Sequence, residues 1–209
     1  EEESLAECNK RQNRNRDLVE SVKCIQRAGL QVQGGFIVGF DNDTPSIFQR
    51  QIDFIQNSGI ATAMVGLLQA PAGTRLYERM RKEGRLLGPM SGDTDGTTNL
   101  IPRMGLDLLQ EGYRNILRYI YSPKHYYRRV RTFLREYKVP KVRSSLDLHR
   151  FLALFNSGFR LGVLGKGRFH YWGLLAWTLF RRPQLFSVAV TLTIYGHHFR
   201  KICKLNLIH

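Results

Sequence analysis

The chain is short of cysteine, and the few it has are not placed for chemistry. Cys8, Cys24 and Cys203 form no close pair and make no CxxC or CxxxCxxC spacing, so no zinc or iron-sulfur motif is present. His197 and His198 are neighbours in sequence and add no metal-binding pair. Gly34, Gly35 and Gly39 do not make GxGxxG, and a phosphate loop of the GK[ST] type is missing, which leaves no dinucleotide or nucleotide fingerprint. Asp41-Asn42-Asp43 lacks the spaced acids and distal glutamate of an EF-hand. Long apolar runs are absent too. The segments 169–180 and 185–196, separated by Arg181-Arg182-Pro183, each fall short of the ~18 to 20 residues that span a bilayer. No repeat at the ~20 to 50 residue period of a solenoid appears. Glu1-Glu2-Glu3-Ser4-Leu5 does not resemble a basic-then-apolar leader. Together with the unpaired cysteines, this points to a reducing compartment, the cytoplasm by default.

Acidic residues are scarce in one half only. Residues 97–209 carry 4 Asp+Glu against 20 Lys+Arg, and residues 1–96 carry 13 against 12, so net charges of +16 and −1 make up the chain's +15. The charge boundary near Gly96 falls in Gly88 to Thr98, a stretch rich in Gly, Ser, Asp and Thr that reads as a linker. Two domains are therefore expected, 1–96 and 97–209. A strongly basic half fits an anionic partner such as nucleic acid, a phospholipid surface or an acidic substrate, and it equally fits a solvated helical face.

What is present is most informative between Gly34 and Asp41. Phe36-Ile37-Val38 is a continuous apolar run, as in a strand covered on both faces. Gly39 then allows close backbone approach or a positive φ. Thr44 and Pro45 cap and begin a helix, with Phe48, Ile52 and Ile55 at helical spacing. A second strand, Ala61 to Leu68, and the turn Gln69 to Thr74 repeat the pattern. This βαβα order predicts a parallel sheet with right-handed crossovers and ligands beyond the carboxyl ends of the strands, at Gly39 to Asp43 and Gln69 to Thr74. Asp41-Asn42-Asp43 there fits a polar clamp for a ligand, or capping and support of the helix dipole.

The remaining pattern is helical. Ser4 to Lys10 reads as a short helix. Leu18, Val22 and Ile25 mark a second that ends at Gly29, with Cys24 as a small buried hydrophobe beside the stripe. Thr74 to Arg85 reads as a helix with a basic outer face. Leu108, Leu109, Gly112, Ile116 and Tyr119 mark a helix ending near Tyr121, Pro123 starts another through Tyr127, Val130 and Leu134, and Leu146 to Phe159 gives a third. Gly158, Gly162, Gly165 and Gly167 then interrupt the pattern before the two closing apolar segments. Those segments fit a core hairpin, or an interfacial element carrying Tyr171, Trp172 and Trp177 with flanking cations. Tyr113, Tyr119, Tyr121, Tyr126, Tyr127 and Tyr137, interleaved with arginines, fit base stacking or a core of aromatics under a basic face.

Taken together, Glu3-Ser4-Leu5, Asn9 to Asn13, Gly34 to Asp41, Gln69 to Tyr77 and Glu83-Gly84-Arg85-Leu86 resemble the second half of a radical SAM core, in its cobalamin-binding branch. Thr98 to Pro102, Gly112-Tyr113 and Tyr121 to Arg128 resemble the uncharacterised helical domain that follows such cores. The resemblance implies an α/β fold: a partial parallel (β/α) barrel of radical SAM type, incomplete, followed by an all-helical carboxyl-terminal domain. It implies S-adenosylmethionine at the strand ends, with Gly35, Ile37, Gly39 and Gln69 on its side and Asp41 as a further candidate. A [4Fe-4S] cluster and cobalamin are the implied cofactors, but their ligands and domain lie upstream in the family. The expectation is thus a fragment, inert alone, of a methyltransferase acting on an unactivated carbon of a small-molecule or lipid substrate. Its implied partners are the preceding part of the same protein and, through the basic aromatic tail, a membrane surface. The rival expectation is a non-catalytic basic module that binds RNA or an anionic membrane.

Overall fold

A computed structural model describes residues 17–90, 96–138 and 157–206. The helix expected at Ser4 to Lys10 and nearly all of that expected at Leu146 to Phe159 lie outside them.

Helix α1 (Leu18–Arg27) starts at Asp17, whose side chain accepts from the Glu20 backbone N–H, and gives way to Gly29 at φ 89°. Its expected apolar stripe is only half-buried. The buried residue is Gln26, which donates its amide to the Ser58 carbonyl at 3.0 Å. Cys24 is exposed, not buried as its spacing beside the stripe indicated.

Strands β1 (Gln33–Val38) and β2 (Thr62–Leu67) pair in parallel, in register from Gln33 opposite Thr62 to Val38 opposite Leu67. They form a two-stranded sheet. Among the described residues the fold is therefore mainly helical with a small parallel sheet, and a partial barrel is not seen. Both faces of β1 are expected to be covered, but among the described residues only one is. Phe36 and Val38 turn toward the helices, while Ile37 and its β2 neighbour Met64 stand 49% and 51% exposed on the other face. An apolar run that continues through a strand does not reveal whether helices cover one face or two, because side chains alternate whatever lies above them.

Helix α2 (Ser46–Ser58) crosses between the strands and buries Ile47, Ile52 and Ile55. It begins one residue later than expected, with Pro45 at the cap position and Thr44 bonded through its hydroxyl to Ser46 at 2.8 Å. Helix α3 (Arg75–Lys82) is capped by Thr74, whose oxygen accepts from the Tyr77 N–H. It is followed by Gly84 at φ 67°, so it ends before Arg85.

Helix α4 (Leu106–Ile120) runs back along the sheet. Near its start Leu109 packs beneath Gly39 at the carboxyl end of β1, and just past its end the Tyr121 hydroxyl donates to Ala63 at the beginning of β2, at 2.5 Å. Leu109, Gly112 and Ile116 are buried as expected, but Leu108 and Tyr119 are exposed. Tyr113, Leu117 and Ile120 take their places on the inner face. Helix α5 (Pro123–Glu136) begins at its proline and buries Tyr127, Val130 and Leu134.

Glycines 158 and 162 lie within a π-helical turn, Gly158–Val163, rather than in a break. Helices α6 (Arg168–Arg181) and α7 (Phe186–Asn206) follow, joined by a 3₁₀ turn at Pro183–Leu185. They pack together as a hairpin through Leu174, Leu175, Ala189 and Val190. The other face of α6 is open: Phe169 and Phe180 are 78% and 83% exposed, with Trp172 and Leu179 between them. No helix among the described residues is long and apolar enough to cross a membrane.

A smaller core cluster gathers Ala70, Met80 and Leu100, and the main one runs from Val38 to Cys203. Tyr113, Tyr121, Tyr126, Tyr127 and Tyr137 are buried in it. Tyr119 stacks on His125 with ring centroids 3.8 Å apart. The five buried rings are core aromatics, while Tyr119 lies at the surface.

Candidate functional site

At the carboxyl ends of the strands the chain builds a tightly bonded loop cluster. Gly39, at φ 106°, turns the chain over Leu109; a β-carbon there would sit 3.0 Å from the Leu109 side chain. The backbone N–H groups of Gly39 and Phe40 both donate to one carboxylate oxygen of Asp43, at 2.9 and 3.0 Å. Asp43 is buried and so fixes the exit of β1. Beside it, Leu68 N–H donates to the Val38 carbonyl at 2.9 Å and carries the pairing one step past β2.

The exit of β2 is held from residues 97–100. Gln69 donates its side-chain amide to the Thr97 carbonyl at 3.1 Å, and the Thr98 hydroxyl donates to the Leu68 carbonyl at 2.6 Å. Asn99 reads the Ala70 peptide from both sides, accepting from its N–H at 2.8 Å and donating to its C=O at 2.9 Å. Asn99 is buried, so each of these bonds replaces water that cannot reach it. The pattern carried no separate signal for Asn99, because an isolated asparagine in a Thr/Asn-rich loop reads as a turn residue.

Asp41 is drawn out of the strand line by arginines. Arg85 grips it in fork geometry, Nη2 to Oδ1 at 2.6 Å and Nη1 to Oδ2 at 3.1 Å, and also donates Nε to the Ile101 carbonyl at 2.9 Å. Arg79 approaches the same carboxylate at 3.3 Å and Arg103 at 3.7 Å. Arg85 and Asp41 are 14% and 9% exposed, so the pair is screened far less than a surface bridge. In this loop Asp43 staples β1 and Asp41 ties it to the turn after α3.

The Arg85 hydrogen bonds hold the Asp41 carboxyl below the usual carboxylate range, against the opposing effect of burial. A folded pKa below the unfolded one gives stability that is complete above about pH 4 and lost as pH falls through the lower, folded value. Asp41→Asn is expected to cost roughly 1.5–3 kcal/mol at neutral pH. At a pH below the folded value of this carboxyl the variant and the parent should converge. Urea unfolding at the two pH values checks this; equal stability at neutral pH would remove the lock.

The other candidates lie on or beside the open face. Gly35 pairs with Met64 and Ile37 with Gly66. β-carbons built on Gly35 and Gly66 would meet nothing within 4 Å. Gly35, Ile37, Gly39 and Gln69 thus share one face and its carboxyl edge, with Asp41 set aside by Arg85. No group of three His, Cys, Asp or Glu side chains suited to a metal exists among the described residues. Burial pushes the Cys203 thiol up to about 11, and Cys24 lies on another helix.

A family model described as a domain of unknown function, DUF4070, matches residues 74–207. The chain belongs to the DUF4070 family. This domain is found in cobalamin-binding radical SAM proteins, and in this chain it takes in α3 through α7. An uncharacterized methyltransferase of Synechocystis is 33% identical over 205 residues, 95% of this chain and 38% of the relative. Hopanoid C-2 methylase of Rhodopseudomonas palustris is 29% identical over 164 residues, 74% of this chain and 30% of that protein. Bacteriochlorophyllide d C-12(1)-methyltransferase of Chlorobaculum tepidum is 29% identical over 118 residues, 56% of this chain and 26% of that protein. The chain thus spans well under half the length of each. No solved structure matches.

Proposed function

We propose that the open face of β1 and β2 is the S-adenosylmethionine side of a partial (β/α) barrel, and that the whole protein is a cobalamin-dependent radical SAM methyltransferase acting on an unactivated carbon of an apolar substrate. The observation that carries this reading is the open strand face itself. Gly35 and Gly66 leave a floor without side chains, and Ile37 and Met64 stand beside it as apolar walls. Such a surface fits a flat heteroaromatic group laid across the strands.

The described residues divide the work of holding that ligand. Gly35 and Gly66 allow close approach, and Ile37 and Met64 exclude water from its faces. Asp43 and Asn99 fix the two strand exits so that Gly39 and Gln69 keep their places at the edge. Methyl supply and hydrogen abstraction are chemistry of the bound groups. The described residues fit S-adenosylmethionine but offer no ligand set for an iron-sulfur cluster, so in this reading the cluster and the cobalamin are held by other parts of the whole protein, and this portion alone is inert.

Gly35→Val in the full-length protein tests the reading. Valine suits a strand and meets nothing there, so unfolding stability should hold or rise slightly. Affinity for S-adenosylmethionine, measured anaerobically by calorimetry, should fall ~10- to 100-fold, about 1.4–2.8 kcal/mol. Unchanged affinity in a folded variant would remove this face from the site.

A further inference from the structure

Where α5 and α6 begin, beside the carboxyl-terminal half of α7, lies a cavity of about 590 Å³. Arg160, Lys166, His197, Arg200 and Lys201 line it, and no acidic residue among the described residues does. Pro123, the first residue of α5, and Gly167, the cap of α6, also line it. A β-carbon on Gly167 would sit 2.8 Å from the Pro123 ring, so the two helix starts touch. Neither helix has an acidic residue in its first turn. Two positive helix ends and a group of cationic side chains thus converge with no countercharge in the lining.

Arg200 gives the sharpest indication. Its guanidinium lies 5.6 Å from the Tyr127 ring centroid and 5.8 Å from that of Tyr126. The Tyr127 side chain also hydrogen-bonds Arg200, so the aromatic pair holds this cation in the wall of the cavity. With these cationic side chains and no acidic residue among the described lining, an anion is the complementary ligand. The donors outnumber the two oxygens of a carboxylate. A phosphate monoester, with up to two negative charges and three free oxygens, matches them better. The remaining lining is apolar: Leu161, Leu164 and the face of Tyr127. Leu164 leads along the chain to Phe169 and Trp172 on the open face of α6.

We propose that this cavity binds a phosphate monoester borne on an apolar chain, either an anionic lipid headgroup or a free phosphorylated molecule. The cavity lies at the opposite end of α4 from the strand exits, about 22 Å away by the 1.5 Å rise of that helix. Its occupancy can therefore be measured without S-adenosylmethionine or turnover, and its failure would leave the methyltransferase reading untouched.

The full-length protein would be titrated calorimetrically with dodecyl phosphate below its micellar concentration, with dodecanol and with inorganic phosphate. In parallel it would be sedimented with phosphatidylcholine vesicles with and without phosphatidic acid. The expected result is saturable binding of one dodecyl phosphate per chain, at least ~10-fold tighter than dodecanol, reduced ~10-fold or more by Arg200→Gln. Recruitment by phosphatidic acid vesicles assigns the headgroup to a lipid. Displacement by inorganic phosphate without recruitment assigns it to a free ester. Should Arg200→Gln unfold, the exposed pair Arg160→Gln with Lys166→Gln supplies the same test. Absence of phosphate binding, dodecanol binding equally well, or affinity unchanged in whichever of these variants is folded would overturn the proposal.

Discussion

Replacing Arg129 by alanine is expected to cost the protein at least about 4 kcal/mol, a large part of the ~5–15 kcal/mol that holds a domain folded. Arg129 is fully buried, and no carboxylate pairs with it among the described residues. Its guanidinium lies over the rings of Tyr121 and Tyr126, 5.6 and 5.1 Å from their centroids. Nη1 donates to the Ile120 carbonyl at 2.8 Å and to Gln56 Oε1 at 3.2 Å, and Nη2 donates to the Ala61 carbonyl at 3.3 Å. The cation is thus met by the negative end of α4 and by aromatic faces, and it ties α2, the residue before β2 and α4 to α5. Burial presses the Arg129 pKa down and pushes the Tyr121 hydroxyl up to about 12.

Truncation leaves a cavity, which for a large side chain costs ~3–5 kcal/mol. It also strands buried acceptors, at roughly 1–3 kcal/mol each. Arg129→Met separates the two effects. Methionine refills much of the volume and donates nothing, so it should recover only the cavity part. Chemical denaturation of both variants reads this out; an Arg129→Met variant as stable as the parent would show that the guanidinium bonds contribute nothing net.

The second large effect is expected at Gly59, the carboxyl cap of α2. Its φ of 72° is left-handed, and a β-carbon there would come within 2.9 Å of the Phe133 backbone nitrogen and 3.2 Å of its Cα. α2 and α5 approach each other through this missing side chain. The left-handed conformation alone costs a non-glycine residue about 1–2 kcal/mol. A backbone neighbour cannot rotate away as a side chain can, so the helices must separate and loosen the contacts around Ile55 and Phe133. Gly59→Ala should therefore lose ~2–4 kcal/mol. Gly84→Ala is the control, because Gly84 has a similar φ of 67° and open space around it. It should show the conformational cost alone. At ~2–4 °C per kcal/mol the two melting temperatures should separate by several degrees. Equal losses would dismiss the close approach.

Much of this molecule is legible in the residue pattern. The starts of α3 and α5 follow from Thr74 and Pro123, and the end of α1 from Gly29, because capping needs only a side-chain acceptor or a tolerated dihedral within a few residues. The two strands and their parallel order follow from the βαβα spacing. The grouping of Gly39 and Gln69 at one edge follows from that order, since parallel strands put their carboxyl ends together.

Other features depend on partners far away in the chain. Leu108, Tyr119 and Ile25 fit their helical stripes by spacing and are nevertheless exposed. A periodicity defines a face but not how much of it a neighbour covers. Arg85 and Asn99 secure the candidate site across 44 and 29 residues of sequence, a distance at which local pattern carries no information. Asp41 and Asp43 looked alike as acidic loop residues. Whether each would bind a ligand, cap a backbone or pair with arginine was set by which groups packing brought within 3 Å.

By itself, the sequence determined the order of the two strands with the helices beside them, several of the helix caps, the charge boundary and the glycine-bearing strand end, since each rests on short-range sterics, hydrogen bonding and composition. Only the tertiary structure decided that one strand face stays open, that Arg129 lies in the core beside tyrosines and that Arg200 and its neighbours enclose a cationic cavity. Those outcomes depend on how α4 to α7 dock, and docking sums many weak contacts between residues that no local pattern relates.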